Sequence, residues 1–490
     1  MVKKLIDGTV KVFSLPGNKF LPGLLLLMML SHLPYMKLPA VGNHVWRQCN
    51  TLAVAKNYAE ESMDILKPRV DKRFDKSGIT GPQFPAYDYT LAAMYKAFGF
   101  SEYYHRWLSL LFFALSVVGL HKLMLQYVNN PVYANVGAAF LAFSPEMYFH
   151  GINAVPDIMA LACMVWGWYW ANKWLKGERW NTLYIASLLL ALAGMIKLQF
   201  LMAGLPIAWE FLGRKGKPLK AWLQASFLAV ISVGLSLWWY GYAAYLVKTY
   251  GLHEFVHAMR HAANLREGLS ILGRNLFSDI PETWVGYAFL PFLLAGVYGS
   301  IQLRKTYKSV FVYAVGSLLF YVLVQYQFIH HGYYAIVFLP LLAFFVARGF
   351  GILQNSKVSP LLLLIWFSPL WAWLRIAQTN WNPRSYRVPQ EFVSPDLLKQ
   401  MRAGNDTSER WIVGPDKSGC VYFYYTGVKG YPWDTAAETA SMIKAYLDSG
   451  AVGFVTDKPE LIGSKYTGKL HYREVKSVGR FRWYRVEKQP

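Results

Sequence analysis

The chain has 490 residues, 54% hydrophobic and 17% aromatic, with a mean hydropathy of +0.22, more apolar than a soluble enzyme of that length. Its formal net charge of +22 lies in short Lys and Arg clusters between apolar runs, not along one stripe with interleaved aromatics, so it marks membrane topology and excludes nucleic acid as a partner. Cys49, Cys163 and Cys420 lack CxxC spacing, which removes a zinc ribbon and a redox motif, and nothing in the pattern demands a disulfide between Cys49 and Cys420.

Apolar stretches of spanning or near-spanning length fall at 20–38, 105–127, 131–149, 155–175, 181–196, 198–212, 221–247, 285–303, 309–328, 333–353 and 359–376, which predicts about eleven spans. The first run has no small-residue cleavage site and ends at Pro34 and Pro39, so it reads as a retained helix. Every second loop is basic: Lys3–Lys19, His121–Lys122, Lys173–Arg179, Arg214–Lys220, Arg304–Lys308 and Arg348–Lys357. The positive-inside rule then puts the N-terminus in the cytoplasm and the C-terminus outside. The predicted fold is a mainly α, polytopic helical membrane domain over 1–384, followed by a small extracytoplasmic α/β domain over 385–490.

Three long segments, 39–104, 248–284 and 377–490, fall on the outer side. In the first, Leu52, Ala55, Ala59, Ser62, Met63 and Leu66 recur at helical spacing opposite Lys56, Asn57, Glu60, Glu61 and Asp64, the pattern of a juxtamembrane helix lying on the surface. In the last, WIVGP (411–415), VYFYY (421–425), AVGFVTD (451–457) and RFRWYRV (480–486) read as strand-like segments, with a helical run around Thr435–Ser449. It carries no catalytic motif and reads as a docking or lid domain.

Several clusters at the outer surface can carry chemistry. GNHVWRQCNT (42–51) places His44, Arg47, Gln48 and Asn50 where they can reach a lipid-linked phosphate, with Trp46 at headgroup depth; an interfacial anchor is the plainer reading. Arg69 and Asp71 follow, the carboxylate flanked by Lys72 and Arg73 and suited to general-base work, or to a loop salt bridge. Asp157 opens the fourth span after SPEMYFHGIN (144–153); an acid at that depth faces a cavity or caps the helix. Lys197, between the fifth and sixth spans, either snorkels or holds a phosphate. His330 and His331, with Tyr333 and Tyr334, end the ninth span and can bind phosphate or sugar hydroxyls, or serve as interfacial aromatics. His253, Glu254 and His257 spell HExxH, with His261 a turn further. That is the geometry of a zinc protease, without the Gly and third-His arrangement or a downstream acid to complete it.

Taken in order, WRQ (46–48) with Thr51, PRVD (68–71) with FP (84–85), SP (144–145) leading to PD (156–157), Lys197, and HHGYY (330–334) leading to Pro340 resemble the GT-C glycosyltransferases, in particular bacterial relatives of the protein O-mannosyltransferases and of the lipid A aminoarabinose transferase. The resemblance covers most of the membrane part. It implies a multi-pass protein of the bacterial inner membrane that moves a sugar from a polyprenyl-phosphate donor to a lipid, glycan or protein acceptor at the extracytoplasmic face. It also implies catalytic roles for Asp71 and Asp157, and donor-phosphate or acceptor contacts from His44, Arg47, Gln48, Asn50, Arg69, Lys197, His330, His331 and Tyr333. No metal ligand set is implied: the family varies in its use of a divalent metal, and the sequence requires none.

The chain departs from the pattern at three places. Asn43 and His44 stand where many relatives carry an acidic pair, and Asn50 and Gln83 stand where relatives with the WRQ signature have Asp and Glu. Two expected carboxylates are therefore amides. A non-catalytic transporter or lipid-linked-sugar-binding protein is the alternative, and an HExxH protease a distant third.

Overall fold

The computed structural model describes residues 1–177, 179–252, 262–302, 308–434, 440–462 and 470–487. The chain divides into two compact units. The first comprises Met1–Met36, Arg106–Gly241 and His257–Thr379, and the second Lys37–His105, Tyr242–Val256 and Asn380–Pro490.

The first unit is helical and polytopic. Among the described residues, four helices are long and apolar enough to cross a membrane: Tyr104–Val128, Leu219–Tyr250, Gly332–Gln354 and Ser359–Thr379. A pair bent by 103°, Val2–Phe13 with Gly17–Tyr35, makes a fifth if taken as one span, and shorter apolar helices lie at Pro131–Phe143, Trp180–Ile196, Leu198–Leu212, Leu290–Ser300 and Lys308–Val324.

The bend has a sequence cause. Pro16 lacks an N–H and disfavours helical backbone at Leu15, which leaves carbonyls without helical partners. Asn135 takes them, its Nδ2 donating to Phe13 O at 2.9 Å and Leu15 O at 2.8 Å, while its Oδ1 meets His121 Nε2 at 2.9 Å. Elsewhere small residues set the helix spacing. A Cβ on Gly296 would strike the Phe345 carbonyl, and one on Gly349 the Phe292 carbonyl, so helices Leu290–Gln302 and Leu339–Gln354 can touch backbone to backbone.

The second unit is built on a five-stranded sheet of β1 (Arg410–Val413), β2 (Lys429–Pro432), β3 (Ala451–Thr456), β4 (Tyr472–Val478) and β5 (Phe481–Val486), in the order β2-β1-β3-β5-β4. β1 runs parallel to β2 and β3, and β5 antiparallel to β3 and β4. Ile412, Tyr431, Trp433, Ile443 and Phe454 form its buried core. Residues 71–73 continue the sheet beyond β2: Gly430 N donates to Asp71 O at 3.0 Å and Arg73 N to Gly430 O at 2.8 Å.

Two local expectations change, and two strands come in addition. VYFYY is not a strand: Val421–Thr426 is a helix closed by Gly427 at φ 72°, and burial of five of its six side chains overrides the β preference of its aromatics. The helix expected over 52–66 runs instead over Val45–Glu60. Its polar side is buried over the helix body, Lys56 at 9% and Asn57 at 0% exposure, and opens only at Glu60, so it is an interior helix rather than one lying half in lipid. β2 and β4 had no strand signal, since KGYP reads as a turn and β4 is a largely exposed run of charges.

Candidate functional site

In the first unit Asp157 opens the helix Asp157–Gly177 and is fully buried. The helix Trp180–Ile196 stops at Lys197, whose extended backbone (φ −157°, ψ 120°) turns the chain into the 3-10 segment Leu198–Ala203. That turn aims the side chain inward. Lys197 Nζ donates to Asp157 Oδ1 at 2.6 Å, and its ammonium lies 4.0 Å from the Tyr334 ring centroid and 4.5 Å from that of Tyr333, within cation–π range. With 6% exposure, Lys197 does not snorkel. The other carboxylate oxygen, Asp157 Oδ2, is buried with no hydrogen-bond partner among the described residues.

Tyr333 links this pair to its surroundings. Its ring meets His150 edge-on at 5.9 Å and His331 at 5.6 Å, and His150 Nε2 lies 3.1 Å from Glu146 Oε1. A Cβ on Gly332 would press on the same carboxylate at 2.6 Å, so HHGYY needs its glycine. Arg106, fully buried, donates to Ile152 O at 3.1 Å and to Asn153 Oδ1, and Ser109 Oγ to Asn153 O at 2.6 Å, fixing the turn before Asp157. His330 ends the helix Gln327–His330; its side chain lies outside the described atoms.

In the second unit the predicted residues gather around the helix Val45–Glu60. His44 precedes it in left-handed backbone (φ 57°). Arg47 Nη2 donates to Gln83 Oε1 at 2.6 Å, and Gln48 Nε2 to Val41 O at 3.2 Å. Asn50 is buried. Asp71 Oδ1 accepts from Asn57 Nδ2 at 2.9 Å, and the same amide donates to Arg69 O at 3.1 Å. Arg73, 1% exposed, pairs with Glu61 at 2.5 Å, Arg69 lies 3.7 Å from Glu61, and Lys429 pairs with Glu61 too. Burial pushes the Glu61 carboxyl up, but Arg73 and Lys429 outweigh it and hold it below the usual range.

The sequence reading missed Asp88, in the first turn of the helix Ala86–Phe98. Burial pushes its carboxyl up to about 7, against the Arg47 charge that pulls it down. The signal was present in FPAYD, but an acid just after a proline reads as ordinary helix-start chemistry. Arg106, one residue inside the apolar run 105–127, is likewise absent from the predicted set. Among the described residues no three His, Cys, Asp or Glu side chains converge as metal ligands. His253, Glu254, His257 and His261 lie outside the described residues.

With this geometry in place, the chain is a polytopic helical membrane protein with the GT-C fold. Residues 81–239 match the family model described as dolichyl-phosphate-mannose-protein mannosyltransferase. No curated protein matches the chain. Among solved structures it resembles ArnT from Cupriavidus metallidurans bound to undecaprenyl phosphate, at 12% identity and a TM-score of 0.59 over 95% of this chain and 97% of that one. It also resembles the oligosaccharyltransferase AglB from Archaeoglobus fulgidus in complex with an inhibitory peptide and a dolichol-phosphate, at 12% identity and a TM-score of 0.56 over 91% of this chain and 70% of that one. At such identity the likeness establishes the fold.

Proposed function

We propose that the protein is an integral membrane glycosyltransferase that moves a sugar from a polyprenyl-phosphate carrier to a lipid, glycan or protein acceptor at the extracytoplasmic face. The observation that carries this reading is the buried Lys197 ammonium, held by Asp157 and by the faces of Tyr333 and Tyr334. It supports the reading because the reaction needs a desolvated cation for the departing phosphate next to a carboxylate for the acceptor's proton. The bond from the sugar's anomeric carbon to the phosphate oxygen breaks as a bond to the acceptor's oxygen or nitrogen forms. The acceptor's proton passes to Asp157, and the polyprenyl phosphate leaves with its charge opposite Lys197. Asp71, buried on its Asn57 bond, is the second proposed acid.

Radiolabelled sugar transfer from an extracted pool of polyprenyl-phosphate sugars tests this, with membranes carrying the wild type, Asp157→Asn, Lys197→Met or Asp71→Asn. Loss of transfer by about a hundredfold or more at Asp157 and Lys197, the scale of removing one transition-state contact, is the expected result. A wild type that binds undecaprenyl phosphate but transfers no sugar would replace the enzyme with a lipid-binding component.

A further inference from the structure

The contacts of Lys197 carry a consequence for the order of events. Its ammonium is already engaged by Asp157 at 2.6 Å, and both groups are buried. While the pair stands, Asp157 offsets the charge that a phosphate would meet, and Lys197 occupies one of the two carboxylate oxygens. A buried ion pair sits near energetic balance, because desolvation offsets attraction, so a stronger anion can displace the weaker one. A phosphate spreads its charge over at least two free oxygens, so it can take two of the ammonium's three N–H donors where Asp157 takes one. The rings of Tyr333 and Tyr334 at 4.5 and 4.0 Å give the ammonium a favourable surface on which to move without returning to water. Asp157 Oδ2, buried and without a hydrogen-bond partner among the described residues, marks a second vacancy that a donor group of a ligand would fill.

We infer that Lys197 exchanges partners when the lipid carrier binds: it leaves the Asp157 carboxylate for the carrier's phosphate, and the Oδ1 it vacates, beside the open Oδ2, is then available to an acceptor's proton. The inference rests on the proposed function and adds an order to it, carrier first and acceptor second. It also makes the two residues opposite in their effect on carrier binding. Asp157 competes with the phosphate for the ammonium, whereas Lys197 recruits it. A pair that merely stabilised the fold would weaken binding whichever member was removed.

The test is the affinity of the full chain, purified in detergent, for undecaprenyl phosphate. Asp157→Asn is expected to tighten binding by about fivefold or more, the lower end of ordinary site-to-site coupling, while Lys197→Met weakens it and Lys197→Arg retains it. Asp157→Ser supplies the same comparison if the asparagine variant does not fold, with elution profile and helical circular dichroism as the check. Unchanged or weaker binding in the folded Asp157 variants, with the wild type still binding, overturns the exchange and leaves the proposed function standing. Absence of binding by the wild type removes the proposed function itself. Inorganic phosphate is the control for the ligand: equal affinity for it and for the lipid would make the ligand a free phosphate and overturn the carrier-first order.

Discussion

Asp88 should make the stability of the protein depend on pH in a direction opposite to that of an ordinary surface carboxylate. Its carboxyl has a reference value of 3.8 in the unfolded chain and about 7 in the folded one, raised by burial against the opposing Arg47 charge. Between those values the folded protein binds a proton that the unfolded chain has lost. Stability from this group is therefore complete below about pH 4 and drains away as pH rises to about 7. A gap of about three pH units corresponds to ~4 kcal/mol, an upper figure because buried groups relax and admit water. Asp88→Asn keeps the shape of the neutral carboxyl and cannot ionise, so it should unfold at a higher temperature than the wild type at pH 8 and lose that advantage at pH 4. Thermal unfolding of the detergent-solubilised pair across pH 4–8, followed by tryptophan fluorescence at one scan rate, measures this. A variant less stable than the wild type at pH 8, or one whose advantage does not shrink as pH falls, would refute the argument that burial dominates the Asp88 environment.

Two further substitutions follow from the second unit. Gln83→Glu places a carboxylate where Arg47 now donates to an amide at 2.6 Å. The contact becomes charge-assisted, and undecaprenyl phosphate affinity should fall severalfold if Arg47 serves a phosphate; unchanged affinity would remove Arg47 from the phosphate-binding set. Arg73→Met should destabilise the protein by about 2 kcal/mol, the scale of a lost charge-assisted hydrogen bond, because Arg73 is 1% exposed and bonded to Glu61. A melting temperature within a degree of the wild type would show that Lys429 and Arg69 suffice for Glu61.

How far the sequence could be read depended on which solvent each residue faces. Apolar runs signal membrane helices because lipid demands continuous apolar length, so 105–127 and 333–353 were legible, as were β1, β3 and β5 from their short apolar runs. The helix Val45–Glu60 was legible in existence but not in setting: periodicity tells which residues share a face, not whether the opposite face is also covered, and Lys56 and Asn57 are buried too. Edge strand β4 alternates charges that solvent tolerates and therefore looks like a loop. In the site, Asp157 and Lys197 stood out because a charge inside an apolar run is conspicuous. Their mutual bond was not visible, since forty residues and a helix reversal separate them. Asp88 and Arg106 stood at the boundaries of elements, where a charge is commonplace and its burial cannot be inferred.

The first unit also shows why an incompletely bonded carboxylate there carries weight. It exposes large apolar side chains such as Leu188, Leu237, Leu318 and Leu319, and it buries polar ones such as Asn135, His121, Gln224 and Ser236, the distribution that lipid imposes on a helical protein. Inside such a unit a polar atom must find a protein partner, because water is not there to supply one. Several do: Asn135 bridges His121 and two backbone carbonyls, Gln224 accepts from Trp174 Nε1 at 3.0 Å, and Ser236 donates to Ser232 O at 2.7 Å. Asp157 is bonded through one oxygen and leaves the other buried without a partner among the described residues. A carboxylate oxygen is costlier to leave so than a hydroxyl or amide, and structural need alone would favour apolar residues in place of both Asp157 and Lys197. The cost is accounted for if a ligand completes the bonding, which is what the acceptor of a transferred sugar would do.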